Sequence, residues 1–309
     1  MFVINHKKIF FIFSSLLVVS SIFIISVFGL NFGIDFKGGS ILEVAYLNED
    51  HLAIEDLKIN LQELDLGNLT VQETTFNDPQ GDVNGIILRT KNLTELERES
   101  IISVVSQNNQ YQIEQKRYNS IGPVIGEELK GKALWAILVV VLAIIFFVAF
   151  AFRKVTEVAN SDNKVSSWKY GFAAIIALVH DILIPTGVFA LLGHYFITYQ
   201  IDSVFVMALL AILGFSVNDT IVVFDRIREN LSISKKEIFS ETVGKSLKQT
   251  ITRSINTSLT TLTVLLALYF WGGEATKQFA LILSIGVVVG TYSSIFLASP
   301  LLTLFQKRK

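Results

Sequence analysis

"GFSVNDTIVVFDRIREN", residues 214–230, decides how this chain is read. An apolar run is interrupted by Asn218 and Asp219, resumes through Phe224, and ends in a stretch carrying Arg226 and Arg228. An ionised carboxylate inside a membrane helix costs at least about 2.5–3.5 kcal/mol, so it persists only when paired, protonated or facing water. Asp219 precedes Phe224, the end of the apolar run, by five residues. At the helical rise this places its carboxyl roughly 8 Å inside that end.

The rest of the chain supports a membrane setting. Hydrophobic residues make up 51% and charged residues 17%, with a mean hydropathy of +0.53, whereas soluble domains carry about 25% charged residues. Six apolar runs approach the roughly 20 residues needed to cross a bilayer: 9–30, 133–152, 172–192, 204–224, 251–271 and 280–305. The first is longer than the apolar region of a signal peptide and has no small-x-small cleavage site before Asn31, so it reads as an uncleaved span. The absence of cysteine excludes disulfides, zinc–thiolate sites and cysteine nucleophiles. The four histidines have no metal-ligand spacing, and no nucleotide loop or nucleophile–base arrangement supports an enzyme. The net charge of −1 gives no argument for nucleic-acid binding.

Basic residues orient the spans. Lys7 and Lys8, then Arg153, Lys154, Lys164 and Lys169, then Arg226, Arg228, Lys235, Lys236, Lys245 and Lys248, and finally residues 307–309 fall on one side. The opposite short loops hold only Lys277. Cytoplasmic loops carry the Lys/Arg excess, so both termini are expected in the cytoplasm and residues 31–132 outside. The expected organisation is a cytoplasmic start and first span over 1–30 and an extracytoplasmic domain over 31–132. Five spans follow over 133–305, and a basic tail over 306–309 closes the chain.

The external segment reads strand, helix, strand, strand, helix, strand. Residues 40–46 alternate apolar and polar, and Ile54, Leu57, Leu61 and Leu64 recur at helical spacing. Strands at 70–76 and 85–90 flank a turn holding Asp78, Pro79, Gly81 and Asp82. Thr94 and Glu97 make a capping box before a second helix, and 111–118 supplies the last strand. This order is the ferredoxin-like α+β signature. On the other side, Phe239, Val243, Leu247 and Ile251 repeat every four residues behind a Ser234/Glu237 capping box. A basic amphipathic helix on the membrane surface, at about 226–250, is expected there.

Polar residues gather in the later spans. Arg253 enters the fifth span from the same side as Asp219, so the two meet if the helix faces agree. Asn256, Thr257, Ser258, Thr260, Thr261 and Thr263 continue a polar stripe suited to a buried helix facing water or polar partners. His180 and Asp181 occupy the middle of the third span, with Pro185 removing the helical partner of the Asp181 carbonyl. Such ionisable groups mark ion or proton paths by default, while helix-gluing and a static Asp219–Arg253 pair are the plain alternatives.

Three motifs now resemble one family. "GLNFGIDFKGGSILEV" at 29–44, "SIGPVIGEELKGKAL" at 120–134 and the opening stretch are similar, in that order, to signatures of the SecF family, and the "DF" at Asp35–Phe36 favours it over the SecD family. The resemblance implies a six-helix half of a unit like the resistance–nodulation–division exporters, completed by SecD. It also implies work beside the SecYEG channel, SecA and YajC on exported unfolded polypeptides, in the bacterial inner membrane, with protons as the coupling ion. By motif it assigns the proton path to Asp219 and Arg253, with Asn218 as a motif neighbour. His180 and Asp181 join that path on the residue reading alone. Gly33, Asp35, Gly38 and Gly39 form a turn requiring positive φ and a hinge for the outer domain. A proton-driven half-transporter for small hydrophobic solutes and a structural assembly subunit stand as alternative functions.

Overall fold

The computed structural model describes residues 2–47, 53–78, 81–153, 167–196, 198–233 and 237–305. Its elements run α1 (Phe2–Asn5), α2 (Lys7–Phe28), α3 (Ile34–Lys37), β1 (Gly39–Tyr46), α4 (Ile54–Gln62), β2 (Thr70–Asp78), β3 (Gly81–Thr90), α5 (Glu95–Val105) and β4 (Ile113–Ile121). They continue through α6 (Pro123–Ala151), α7 (Ser167–Tyr195), α8 (Ser203–Ile233), α9 (Phe239–Trp271), α10 (Glu274–Ser293), a π-helical turn (Ser294–Ala298) and α11 (Ser299–Leu302). Two compact units result: residues 32–133, and residues 1–31 with 134–309. Pro79, Lys154, Lys164, Ser234, Lys235, Lys236 and the tail at 306–309 lie outside the described residues, and with them part of the expected turn and capping box.

The first unit carries the βαββαβ order with a four-stranded antiparallel sheet ordered β2-β3-β1-β4. Alternation puts Leu42, Val44 and Tyr46 on one face of β1. They pack with Ile86 and Leu88 of β3 beneath Leu57 and Leu61 of α4 and Ile101 and Val105 of α5. Each such buried side chain contributes roughly 1.5–3 kcal/mol. The α5 start is tied by its capping box: the Glu97 N–H reaches Thr94 Oγ1 at 3.4 Å and the Thr94 N–H reaches Glu97 Oε2 at 2.8 Å. Gly38 and Gly39 turn the chain into β1 at φ +76° and +132°. A Cβ on Gly38 would sit 2.8 Å from Pro123 Cα, so backbone, not only turn geometry, demands glycine there.

In the second unit, six helices are long and apolar enough to cross a membrane: α2, α6, α7, α8, α9, and α10 continued through the π turn into α11. Phe152, Tyr170 and Phe224 build a buried aromatic knot, with ring centroids 5.3–5.7 Å apart. Close approaches of small residues set helix spacing: Gly187 of α7 meets Ser21 of α2, and Gly290 of α10 meets Ser216 of α8. Membrane helices associate through such small-residue contacts because lipid supplies no hydrophobic drive between them. α7 runs unbroken through Pro185, and the Thr186 hydroxyl donates to the Ile182 carbonyl at 2.7 Å.

Two expectations change. The second span begins as a helix at Pro123, ten residues ahead of its apolar run at 133, because "PVIGEELKGK" has no breaker strong enough to stop it. The basic stretch at 226–250 is not a separate surface helix. Its first part extends α8 to Ile233, and its second opens α9, which continues to Trp271. Phe239, Val243 and Leu247 are fully or nearly fully buried against Ile227 and Leu231 of α8. The four-residue repeat therefore reads a protein core. Asn230 fastens the two helix ends, donating to Ser246 Oγ and Gln249 Oε1, each at 2.8 Å.

Candidate functional site

A buried polar layer crosses α7, α8, α9 and α10. Its best-defined part is Asp181, fully buried on α7. Asp181 Oδ1 lies 2.9 Å from His180 Nδ1, and Oδ2 accepts short hydrogen bonds from Ser216 Oγ of α8 and, at 2.8 Å, Ser293 Oγ of α10. A carboxylate taken out of water is tolerated when several donors converge on it, and these helices supply three. Residues adjacent in a helix do not normally face each other, so His180 and Asp181 meet only because the carboxyl is pinned from the other side.

Asp219 lies one helical turn beyond Ser216 and is buried. Ser254 of α9 and Thr291 of α10 flank its carboxyl, and the Arg253 charge is near enough to act on it. Yet Asp219 Oδ2 takes no hydrogen bond among the described residues, and no ion pair joins it to Arg253. The expected meeting of Asp219 with Arg253 is thus absent in this state. Arg253 faces outward and lines a polar cleft of about 270 Å³ with Asp225, Arg226, Glu229, Gln249 and Thr250. The cause is rotational: Ser254 and Ser258 take the inward face of α9, leaving Arg253 about 100° away from Ser254.

Asn218 is exposed and on the other side of α8 from the polar layer, so the fold does not bring it to Asp219. The polar stripe of α9 is likewise divided. Ser254 and Ser258 are buried, whereas Asn256, Thr257, Thr260 and Thr263 are exposed, the three threonines returning their hydroxyls to carbonyls of their own helix. Helix α9 is therefore not enclosed by this chain alone. Gly33 caps α3 with φ −74° and needs no left-handed backbone, unlike Gly38 and Gly39; Asp35 lies in the first turn of that helix.

The sequence reading missed the hydroxyls that build the layer. Ser258 bonds Thr291 at 2.5 Å and Thr220 bonds Ser294 at 2.8 Å. Ser216, Ser293 and Ser294 sit at residue types common in any span, and only helix rotation reveals them. The adjacent pair "SS" at 293–294 preceding the π turn was the one available signal; both residues are fully buried.

A family model described as "Protein export membrane protein SecD/SecF, C-terminal" matches residues 101–308, and one for the "SecD/SecF GG Motif" matches residues 23–46. The protein translocase subunit SecF of Thermobaculum terrenum is 39% identical over 99% of this chain and 94% of its own length. The chain belongs to the SecF family. The SecF subunit of Anaerolinea thermophila is 35% identical over 98% of this chain and 94% of that protein. Among solved structures, the crystal structure of SecDF, a translocon-associated membrane protein from Thermus thermophilus, aligns with a TM-score of 0.80 and 30% identity over 99% of this chain. This chain spans only 38% of that longer one. The GG match falls on the Gly38–Gly39 turn, and the C-terminal match contains the whole polar layer. The chain is a multi-pass membrane protein of a protein-export family.

Proposed function

We propose that this subunit couples proton movement to protein export, with Asp219 as the proton-carrying group and Arg253 as its electrostatic partner. The observation that carries the reading is a buried Asp219 with an unsatisfied carboxyl oxygen, set in a membrane helix beside an arginine that does not neutralise it. Such a carboxyl is stable as a neutral acid in this arrangement and as a carboxylate once Arg253 swings from the polar cleft. Alternation between the two repacks α8 against α9. One elementary charge crossing the membrane is worth about 2.3 kcal/mol per 100 mV, so a few protons per cycle suffice to drive a domain movement.

The partner of choice is SecD. The outward polar face of α9, with Arg253, Asn256, Thr257 and Thr260, is costly against lipid and suits a second half. The shorter span of this chain against the SecDF structure supports the same reading. The full assembly then works with SecYEG, SecA and YajC in the bacterial inner membrane, both termini cytoplasmic and residues 31–132 outside. The Gly38–Gly39 turn serves as the joint of the outer domain. Exported unfolded polypeptide is the substrate, and the drive is the proton gradient.

The test is gradient-dependent release of an exported protein from vesicles carrying the partner and Asp219→Asn. The gradient-dependent component is expected to vanish while insertion is normal. Undiminished release ends the proposal.

A further inference from the structure

We propose that His180 and Asp181 form a second proton-binding site, coupled to Asp219 through Ser216 and Ser293 as positioning residues. This rests on the reading of Asp219 as a proton carrier and extends it to a pair one helix away.

The pair is built to accept two protonation states. In the ionised state Asp181 takes hydrogen bonds from His180 Nδ1, Ser216 Oγ and Ser293 Oγ. Ser293 Oγ also lies 3.0 Å from the Gly290 carbonyl, so its one hydrogen has two acceptors. When a proton forms an O–H bond at Asp181 Oδ2, Ser293 turns its hydrogen to Gly290 O and accepts from the acid. When that O–H breaks, Ser293 turns back. One proton is gained or lost, and no polar group is stranded in either state. A purely adhesive contact has no need of the second acceptor.

His180 supplies the other end. Its Nε2 is buried and without a hydrogen bond among the described residues. The ring stacks on Tyr292 at 6.0 Å, and Tyr292 is held by the Ser14 hydroxyl and donates to the Phe10 carbonyl, each at 3.2 Å. The imidazole is thus clamped in orientation with one nitrogen free to exchange a proton. His180 also lines a cleft of about 360 Å³ between α2 and α7, containing Ser14 and Ser15. The pair therefore titrates as one unit.

Coupling follows from placement. Ser216, which holds Asp181, precedes Asp219 by one turn on the inward face of α8, where side chains have Cβ atoms about 5–6 Å apart. On α10, Ser293 holds Asp181 and Thr291 flanks Asp219. The titratable and charged groups facing the pair are Asp219 from α8 and Tyr292 from α10, with Arg253 of α9 behind Asp219; α2 contributes only Ser14 and the Phe10 carbonyl.

The experiment uses the full chain with its partner in membrane vesicles, comparing wild type, Asp219→Asn, Asp181→Asn, Ser293→Ala and Ser293→Thr. Infrared difference spectra across a pH jump report carboxyl groups taking up protons, and gradient-dependent export is followed against pH. Asp181→Asn should abolish a carboxyl band that Asp219→Asn leaves in place. Ser293→Ala should move the pH midpoint of export by about one unit, the shift worth one hydrogen bond of this kind, and Ser293→Thr should restore it. Wild-type spectra and pH profile in Asp181→Asn, with Asp219→Asn inactive, overturn this inference and leave the Asp219 reading intact. Full activity of Asp219→Asn defeats that reading and the coupling together. If Asp181→Asn fails to insert, an unshifted profile in Ser293→Ala is itself the refutation.

Discussion

Replacing Gly187 by alanine tests whether α2 and α7 are held at a distance that admits no side chain. A Cβ at position 187 would lie 2.6 Å from Ser21 Cβ and 2.7 Å from Ser21 Cα. Non-bonded carbons rest at about 3.5–4.0 Å, so the helices must separate by about 1 Å. Ser21 cannot rotate clear, because its backbone is part of the clash and its hydroxyl is tied to Leu17 O at 2.9 Å. Overpacking of this kind costs about 1–3 kcal/mol. Alanine returns up to about 1 kcal/mol of helix propensity, leaving a net loss of about 1–2 kcal/mol. The assay is unfolding of the full chain in detergent or bicelles, by steric trapping or thermal melting. The double change Gly187→Ala with Ser21→Gly should recover part of the loss, since it removes the Cβ contact but not the Cα one. A Gly187→Ala chain as stable as wild type, or no recovery in the double variant, refutes the claim of backbone-limited packing.

Further outcomes are expected elsewhere. Glu97 is held down to about 2 by the Thr94 N–H, then the Thr94 hydroxyl and Lys91. A depressed carboxylate stabilises the fold above its unfolded value of about 4.3 and loses that contribution as pH falls toward 2. Amide exchange at the start of α5 should therefore accelerate across that acid window, and unchanged protection there would contradict the capping role. Thr94→Ala should cost about 1 kcal/mol at neutral pH by the same readout. Asn230→Ala removes both bonds between the ends of α8 and α9 and should lower stability by about 1–3 kcal/mol; an unaltered melting temperature would show the clasp to be incidental.

Much of the architecture was legible because it rests on one-dimensional signals. Apolar runs long enough to cross a bilayer marked all six membrane helices, and the alternation in "SILEVAY" marked the central strand β1. Where the reading failed, the missing quantity was three-dimensional. The repeat of Phe239, Val243 and Leu247 is the same whether the apolar side meets lipid headgroups or α8, and only the partner decides. Asp219 and Arg253 were correctly placed in depth, but depth does not fix rotation, and Ser254 rather than Arg253 faces inward. For His180 and Asp181, sequence adjacency argued against contact within a helix. The tertiary donors Ser216 and Ser293 made that contact possible, and nothing in the local sequence announces them.

The π-helical turn at Ser294–Ala298 has a bearing on how this molecule tolerates change in length. Its wider winding ends in Ser299, whose hydroxyl reaches five residues back to the Ser294 carbonyl at 2.8 Å. Deleting one residue within 294–298 would restore regular winding and rotate everything beyond it by about 100°. The buried Pro300 and Leu302 would swing out of the core while Ser293 stayed on Asp181. Point substitutions along this turn have side-chain costs that neighbours can absorb. A single-residue deletion has none to trade against, so the spacing between the serine pair and the helix end behaves as a ruler whose graduations are whole residues.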